Sequence, residues 1–176
     1  AIERWKEGYA LQMQGDLGFD ARVYGFGAGI FFLGYFAFEI PSNLILARVG
    51  ARAWIARIML SWGLASMAMA AVVGEWSFYL LRFLLGVAEA GFFPGMILYL
   101  TYWFPAGDRA RAVARFMTAT AIAGVIGGPL SGLLLGLHGA WRLAGWQWLF
   151  VLEGVPAVVL GVVVLRSLTD RPAEAS

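Results

Sequence analysis

Long apolar runs separated by short polar connections dominate the pattern of this chain. Five runs reach the ~20 residues that an α-helix needs to cross about 30 Å of hydrocarbon. Because the connections are short, consecutive helices are expected to be antiparallel neighbours. The pattern therefore predicts an all-α integral membrane protein with about five transmembrane helices. The predicted spans are residues 23–46, 54–73, 78–104, 113–137 and 146–165.

The distribution of basic residues predicts the orientation of these spans. The positive-inside rule places the loops after the first and third spans, and the C-terminus, in the cytoplasm. Residues 1–22 are then extracytoplasmic, and the chain is predicted to be multi-pass in the cell membrane. The basic residues of the predicted cytoplasmic side are Arg48, Arg52, Arg57, Arg109, Arg111, Arg115, Arg166 and Arg171; those opposite are Arg4, Lys6, Arg22 and Arg142. Tryptophans near span ends, expected at the membrane interface, are Trp54, Trp76, Trp103, Trp141 and Trp146.

Composition agrees with a bilayer protein and excludes several classes of function. Hydrophobic residues make up 61% of the chain and the mean hydropathy is +0.74, whereas soluble domains are roughly half apolar. The net charge of +2 is too small to indicate a nucleic-acid partner. Without cysteine and with His138 as the single histidine, the chain lacks a Cys- or His-based metal site. Since it also lacks a catalytic arrangement and a phosphate-binding loop, we expect neither an enzyme nor a cofactor.

Two ionisable side chains, Arg82 and Glu89, interrupt the third apolar run. Their spacing is about two helical turns, so both are predicted to project from nearly the same face. An ionised group in a membrane helix costs roughly 2.5–3.5 kcal/mol and is kept where it faces protein or water. Arg82 is predicted to bind an anion through its planar guanidinium, or else to reach the outer interface. Glu89 is a candidate proton carrier, the alternative being a structural carboxyl neutralised by a neighbouring helix.

Three further polar side chains lie within predicted spans. Tyr35 is near the middle of the first span, where a tyrosine more often packs than binds a ligand. Glu39 is two residues before Pro41 and would pair across helices or serve a gate. Glu153, which precedes Gly154 in the fifth span, is expected to form a structural hydrogen bond.

Glycines recur every four residues in the fourth predicted span, at Gly124, Gly128, Gly132 and Gly136. Such a stripe lays a groove along one helix face and lets another helix approach closely. Pro129 lies within it and should bend the helix. Plain helix packing is a sufficient reason for this pattern.

Four longer motifs stand out along the chain: FFLGYFAFEIPSNLILARVGAR, RFLLGVAEAGFFPGMILYLTYWFPAGDRARA, GGPLSG and GWQWLFVLEGVPAVVLG. Together they resemble one family, the major facilitator superfamily, and in particular its anion:cation symporter branch of tartrate, phthalate and sugar-acid permeases. The resemblance covers about Gly8 to Pro172, and it implies that the spans are helices two to six of an N-terminal six-helix bundle. Residues 1–22 would then be a remnant of the first helix with an extracytoplasmic loop, 23–165 the five-span bundle, and 166–176 the start of a cytoplasmic linker.

The resemblance also implies roles for particular residues. Arg82 would bind the anionic substrate, Glu89 would couple protons, and Tyr35 would face the substrate cavity. The Asp-Arg pair of the family's first helix falls in register with Glu3 and Arg4, implying proton coupling for Glu3 and substrate binding for Arg4.

A cytoplasmic-loop motif of the superfamily, Gly-x-x-x-Asp-Arg-x-Gly-x-Arg, is matched in part by Arg48, Gly50 and Arg52. Its acidic position is occupied by Ala47, so the acidic partner of the usual gating salt bridge is missing at this position. Gating or structural roles are therefore the expectation for these three residues, as they are for Glu39 and Glu153.

The resulting hypothesis is the incomplete N-terminal half of a secondary transporter, built for proton-coupled symport of a small organic carboxylate. Its expected partners are the lipid bilayer, the anion, the proton, the missing first helix and a C-terminal six-helix half. One alternative is a proton-coupled drug or solute antiporter, because Gly124, Gly128, Pro129 and Gly132 partly match an antiporter motif. The other is a small membrane protein or gene remnant without transport activity.

Overall fold

The computed structural model describes residues 12–169, and all regular structure in this part of the chain is helical. A short helical segment at residues 12–17 comes first, within the region that the sequence indicated as helix remnant and loop. The all-α prediction is confirmed for the described residues. The helices that follow are α1 (Ala21–Val49), α2 (Ala51–Met69), α3 (Glu75–Glu89), α4 (Phe92–Trp103), α5 (Ala106–Leu135) and α6 (Gly145–Ser167), with a 3-10 turn at Ala140–Arg142.

Four helical stretches of the described chain are long and apolar enough to cross a membrane: α1, Glu75–Trp103 (α3 with α4), α5 and α6. The second predicted span, α2, is not among the four. Its first two turns carry Arg52 and Arg57, which shorten its uninterrupted apolar length. Hydropathy predicted five spans because the remainder of α2 is apolar and of helical length.

Residues at the helix ends set boundaries for α1 and α5 that lie outside the predicted spans. Asp20 caps α1, since its side chain accepts a 2.8 Å hydrogen bond from the backbone N–H of Val23. Pro105 is the N-cap of α5, which therefore begins at Ala106 and includes a charged first turn. Gly50 forms the single-residue junction between α1 and α2 with φ +97°, a backbone region that favours glycine.

The third predicted span is divided into two helices, where the sequence predicted a single run. Ala90 (φ −55°, ψ 128°) and Gly91 (φ +84°, ψ 4°) separate α3 from α4. These angles are those of a type II turn, which requires a positive φ at its third residue and so favours glycine there. Pro94 lies in the first turn of α4, where its missing N–H leaves no hydrogen bond unmade.

Glycines bring the two main helix pairs into close contact. α2 packs most extensively on α6, and α1 on α3. A Cβ built at Gly63 would lie 2.8 Å from the carbonyl oxygen of Gly154, and one built at Gly154 would lie 2.7 Å from that of Gly63. On the other pair, a Cβ at Gly34 would lie 2.6 Å from the carbonyl oxygen of Phe83. Backbones therefore approach closely at small residues, as is usual for helices in membranes.

The predicted groove of α5 is not where this close packing occurs. A Cβ at Gly124 or at Gly132 would meet no described atom within 4 Å. Gly128 is buried, as is Ser131 one turn further along. Most of the α5 surface is exposed within the described chain, so the glycine stripe is available to a segment outside it.

A hydrophobic cluster closes one end of the bundle, where the starts of α1, α3 and α6 meet the end of α2. Trp146, predicted at the membrane interface, is instead 2% exposed in this cluster. Its indole Nε1 donates a 2.9 Å hydrogen bond to the Asp16 carboxylate, and this bond anchors residues 12–17 to α6. Trp76 and Trp141 are 86% and 88% exposed. The cluster consists of Met13, Phe19, Val23, Met69, Val72, Phe78, Trp146, Leu149 and Phe150.

Candidate functional site

The face of α3 that carries Arg82 and Glu89 packs against α1. Gly86 lies between the two residues in sequence, and a Cβ built on it would overlap the backbone of Phe31 and approach that of Tyr35 on α1. Side chains at positions 82 and 89 are about two turns apart and flank this contact on the same side of the helix. Neither residue is exposed as a lipid-facing side chain would be, since both are partly buried.

Arg82 contacts α1 through Tyr24. Its Nη2 donates a 3.3 Å hydrogen bond to the Tyr24 hydroxyl. The guanidinium carbon lies 5.6 Å from the centroid of the Tyr24 ring and 5.2 Å from that of Phe78, within the range of cation–π attraction. The Nε of Arg82 is buried and has no hydrogen-bond partner among the described residues. The structure therefore shows a guanidinium held by aromatic side chains, with hydrogen-bonding capacity unused and no carboxylate paired to it within residues 12–169.

Glu89 is the last residue of α3 and is partly buried. It lines a cavity of about 100 Å³ with Ile58, Met59 and Trp62 of α2 and Phe92 of α4. Within the described chain, Glu89 makes no hydrogen bond or ion pair. Its position at the C-terminal end of a helix, where backbone carbonyls carry partial negative charge, does not favour a second negative charge. Nothing in this surrounding neutralises an ionised Glu89.

Tyr35 interacts with two carboxylates. Glu39 and Glu89 are both near enough to interact electrostatically with its hydroxyl. The Tyr35 ring is stacked on Phe31 at a centroid distance of 6.3 Å and meets Phe36 edge-on at 5.8 Å. The structure thus places three predicted site residues, Tyr35, Glu39 and Glu89, in one neighbourhood at the α1–α3 contact.

Sequence reasoning did not identify Ser42 as a site residue, and it predicted only a membrane-interface position for Trp54. The Ser42 hydroxyl donates a 2.6 Å hydrogen bond to the carbonyl oxygen of Ala90 and accepts a 2.9 Å bond from the indole Nε1 of Trp54. Ser42 is 5% exposed. A signal was available, since a serine directly after Pro41 in an apolar helix needs a polar partner, but the partner is a backbone group that only the fold brings near.

The remaining predicted site residues are distributed elsewhere. Arg48 is exposed at the end of α1, and Arg52 donates a 3.3 Å hydrogen bond to the carbonyl oxygen of Leu168 after α6. Glu153 accepts a 3.0 Å hydrogen bond from the Ser131 hydroxyl and so joins α6 to α5, which is a structural bond of the kind expected for it. Glu3 and Arg4 lie outside the described residues. Residues 12–169 contain no group of three or more His, Asp or Glu side chains that could hold a metal ion.

Comparisons with known proteins agree with this architecture. The sequence matches the family description Major Facilitator Superfamily over residues 8–176. A protein of Agrobacterium vitis that is named as a tartrate transporter is 61% identical over 175 residues, covering 99% of this chain and 39% of the relative. The Quinolone resistance transporter of Acinetobacter baumannii is 54% identical over 171 residues, covering 97% and 39%. The Inner membrane transport protein RhmT of Escherichia coli is 43% identical over 175 residues, covering 99% and 41%.

A solved structure shows the same fold. The crystal structure of a bacterial homologue of the human lysosomal transporter Spinster, inward-facing and occupied, superposes with a TM-score of 0.84 at 21% identity, covering 97% of this chain and 42% of that one. The chain belongs to the major facilitator superfamily. It spans about two fifths of the length of the curated relatives it matches and corresponds to their N-terminal part. Fold and relatives are those of membrane transporters, not of enzymes.

Proposed function

We propose that this chain is the N-terminal part of a secondary transporter that moves a small organic carboxylate together with protons by alternating access. The observation that carries the proposal is the Arg82 guanidinium, held in the bundle by Tyr24 and Phe78 with no carboxylate bound to it in the described chain. A partly buried guanidinium that keeps its charge and has a planar arrangement of donors favours an anion. The relative named as a tartrate transporter supports a hydroxydicarboxylate as the substrate.

Glu89 has the proton-coupling role in this proposal. It lies on the same α3 face as Arg82, near Tyr35 and Glu39, in a small cavity with no basic partner among the described residues. A carboxyl group in such surroundings exchanges between a protonated and an ionised form rather than staying paired. Tyr35 would add a hydrogen bond to the substrate. Arg4 and Glu3 would contribute a second cation and carboxyl from the first helix.

A chimera provides the test. Residues 1–176 replace the matching segment of the Agrobacterium vitis relative, and uptake of labelled tartrate is measured in cells with an imposed inward proton gradient. Arg82→Lys is expected to lower uptake at least about tenfold, because a lysine cannot reproduce the bidentate fork. Arg22→Lys, which changes an exposed arginine at the start of α1 in the same way, is the matched control.

Glu89→Gln tests the coupling role. We expect it to abolish gradient-driven accumulation of tartrate while exchange of labelled for unlabelled tartrate continues, since the amide mimics the protonated carboxyl. Unchanged accumulation in Glu89→Gln would remove this residue from proton coupling. Unchanged uptake in Arg82→Lys would contradict the assignment of the anion site.

A drug antiporter is the second candidate. The relative named for quinolone resistance and the Gly-Pro run of α5 favour it. The same cells are therefore tested for proton-driven efflux of a quinolone. Efflux without tartrate uptake would support the antiporter, whereas tartrate uptake without efflux supports the symporter that the buried Arg82 favours.

A further inference from the structure

The turn between α3 and α4 leaves a backbone carbonyl in need of a partner. Ala90 is fully buried, and at the turn its carbonyl oxygen accepts a bond from Ser42 of α1 at 2.6 Å. Inside a bilayer an unsatisfied backbone group costs several kcal/mol, so a turn in mid-span depends on such a partner. The Ser42 hydroxyl of α1 is the hydrogen-bond donor to the Ala90 carbonyl of this turn.

Ser42 is itself fixed in orientation. Its oxygen accepts the 2.9 Å hydrogen bond from Trp54 of α2 while its proton is donated to Ala90. The Trp54 ring lies beneath the Arg57 guanidinium, whose carbon is 4.0 Å from the ring centroid. One hydroxyl thus connects α1, α2 and the α3–α4 turn. Gly91 leaves room for this hydroxyl, because a Cβ at Gly91 would occupy the position of the Ser42 side chain.

Glu89 directly precedes this turn, so the position of the turn determines where its carboxyl lies. From α1, Tyr35 interacts electrostatically with Glu89, and Glu39 interacts with the same tyrosine. From α2, the cavity around it is lined by Ile58, Met59 and Trp62, while the charged Arg57 is engaged with Trp54. From α4, Phe92 completes the lining. A displacement of the turn therefore changes the burial of the Glu89 carboxyl in this cavity and its distance to Tyr35, and with them the balance between its protonated and ionised forms.

We propose that Ser42 and Trp54 are positioning residues for proton coupling: their hydrogen-bonded pair holds the Ala90–Gly91 turn and fixes the Glu89 carboxyl in its cavity near Tyr35. The inference rests on the proposed proton-coupled function and deepens it. Neither residue needs to contact the substrate. Loss of the hydrogen bond between Ser42 and Trp54 is expected to shift the pH dependence of gradient-driven transport while changing the rate of substrate exchange only slightly.

The test compares Ser42→Ala and Trp54→Phe in the chimera described above. Each variant is measured for gradient-driven tartrate accumulation, for tartrate exchange at equal pH on both sides, and for the external pH at half-maximal uptake. We expect each to lower accumulation about tenfold, the effect of leaving one buried hydrogen bond unmade. Exchange should stay within about twofold, and the pH midpoint should shift in the same direction in both variants.

Two matched controls are available in the chain. Trp103→Phe removes an indole N–H that is buried without a hydrogen-bond partner among the described residues. Ser61→Ala removes a hydroxyl whose one hydrogen bond within residues 12–169 is to Ile58 in its own helix, at 3.2 Å. Neither control should move the pH midpoint. The double variant Ser42→Ala with Trp54→Phe should accumulate as much tartrate as the more affected single variant, because both substitutions disrupt the same hydrogen-bonded pair.

The outcomes separate this inference from the proposed function. A chimera that accumulates tartrate normally with either variant, or whose variants lose accumulation and exchange equally, overturns the positioning role alone. An unsubstituted chimera without gradient-driven accumulation overturns the proposed function and the inference with it. If Ser42→Ala is absent from the membrane, the pH midpoint of Trp54→Phe decides the question.

Discussion

Arg82 of α3 and Tyr24 of α1 are joined by a 3.3 Å hydrogen bond from the guanidinium Nη2 to the tyrosine hydroxyl. Tyr24 also stacks on Phe78 at a centroid distance of 5.8 Å, so the tyrosine is held by the same hydrophobic cluster that closes this end of the bundle. The proposed substrate-binding cation is consequently oriented by a residue from a different helix.

Removing the Tyr24 hydroxyl should weaken substrate binding without removing the cation. Tyr24→Phe keeps the ring contacts of Arg82 and loses one charge-assisted hydrogen bond. We expect the KM of the chimera for tartrate to rise about three- to tenfold with little change in maximal rate. Tyr79→Phe, whose ring packs on Phe26 and Trp76, is the control. Equal kinetics in Tyr24→Phe and the unsubstituted chimera would show that the bond does not orient Arg82 for binding.

The turn after Glu89 should tolerate only glycine at its second central position. Gly91→Ala places a Cβ at φ +84° and against Ser42, a conformation that costs an L-residue roughly 1–2 kcal/mol before any clash. Lower thermal stability in detergent is therefore expected. Gly107→Ala, in the first turn of α5 with open space around it, should be neutral or stabilising. Similar melting temperatures for the two variants would contradict the turn geometry.

The contact between α5 and α6 should depend on one polar pair. Ser131 is fully buried and donates to Glu153 at 3.0 Å. Ser131→Ala leaves that carboxyl without its donor and should lower stability by about 1–3 kcal/mol. Glu153→Gln retains an oxygen acceptor and should have a smaller effect. A larger loss of stability in Glu153→Gln than in Ser131→Ala would indicate that the charge of Glu153 matters and not the hydrogen bond.

The glycine stripe of α5 should matter only in the complete transporter. Gly124 and Gly132 meet no described atom, so Gly124→Leu and Gly132→Leu are expected to leave the stability of the 176-residue chain unchanged or slightly higher. In the chimera the same changes should impair transport, because a helix of the C-terminal half would approach this face. Full transport activity in both variants would leave the stripe without a packing role.

Cysteine labelling can test the predicted orientation, since the chain contains no cysteine. Trp141→Cys, at a site that is 88% exposed, should react with a membrane-impermeant maleimide in intact cells that express a cysteine-free chimera. Arg111→Cys, in the arginine-rich start of α5, should react only after the cells are permeabilised. The reverse labelling pattern would show that the orientation in the membrane is opposite to the one that the basic residues predict.

Much of the candidate site could be predicted from spacing alone. Arg82 and Glu89 are two turns apart on an apolar helix, and helical geometry places both on one face without further information. Tyr24 could not be predicted, because its hydroxyl meets Arg82 across two helices that are far apart in sequence. The bonds of Ser42 and Trp54 could not be predicted for the same reason, since Ser42 binds the backbone carbonyl of Ala90 and Trp54 binds the Ser42 hydroxyl, each across two helices.

The sequence by itself determined that the chain is helical and membrane-embedded, because hydropathy and run length report how each segment partitions between water and hydrocarbon. It also determined which charged groups must face protein. Tertiary structure decided the turn at Ala90–Gly91, the burial of Trp146 and the use of Gly63 and Gly154 instead of the α5 stripe for close packing. These three features depend on contacts between segments that are distant in sequence, and a local pattern of residues does not report such contacts.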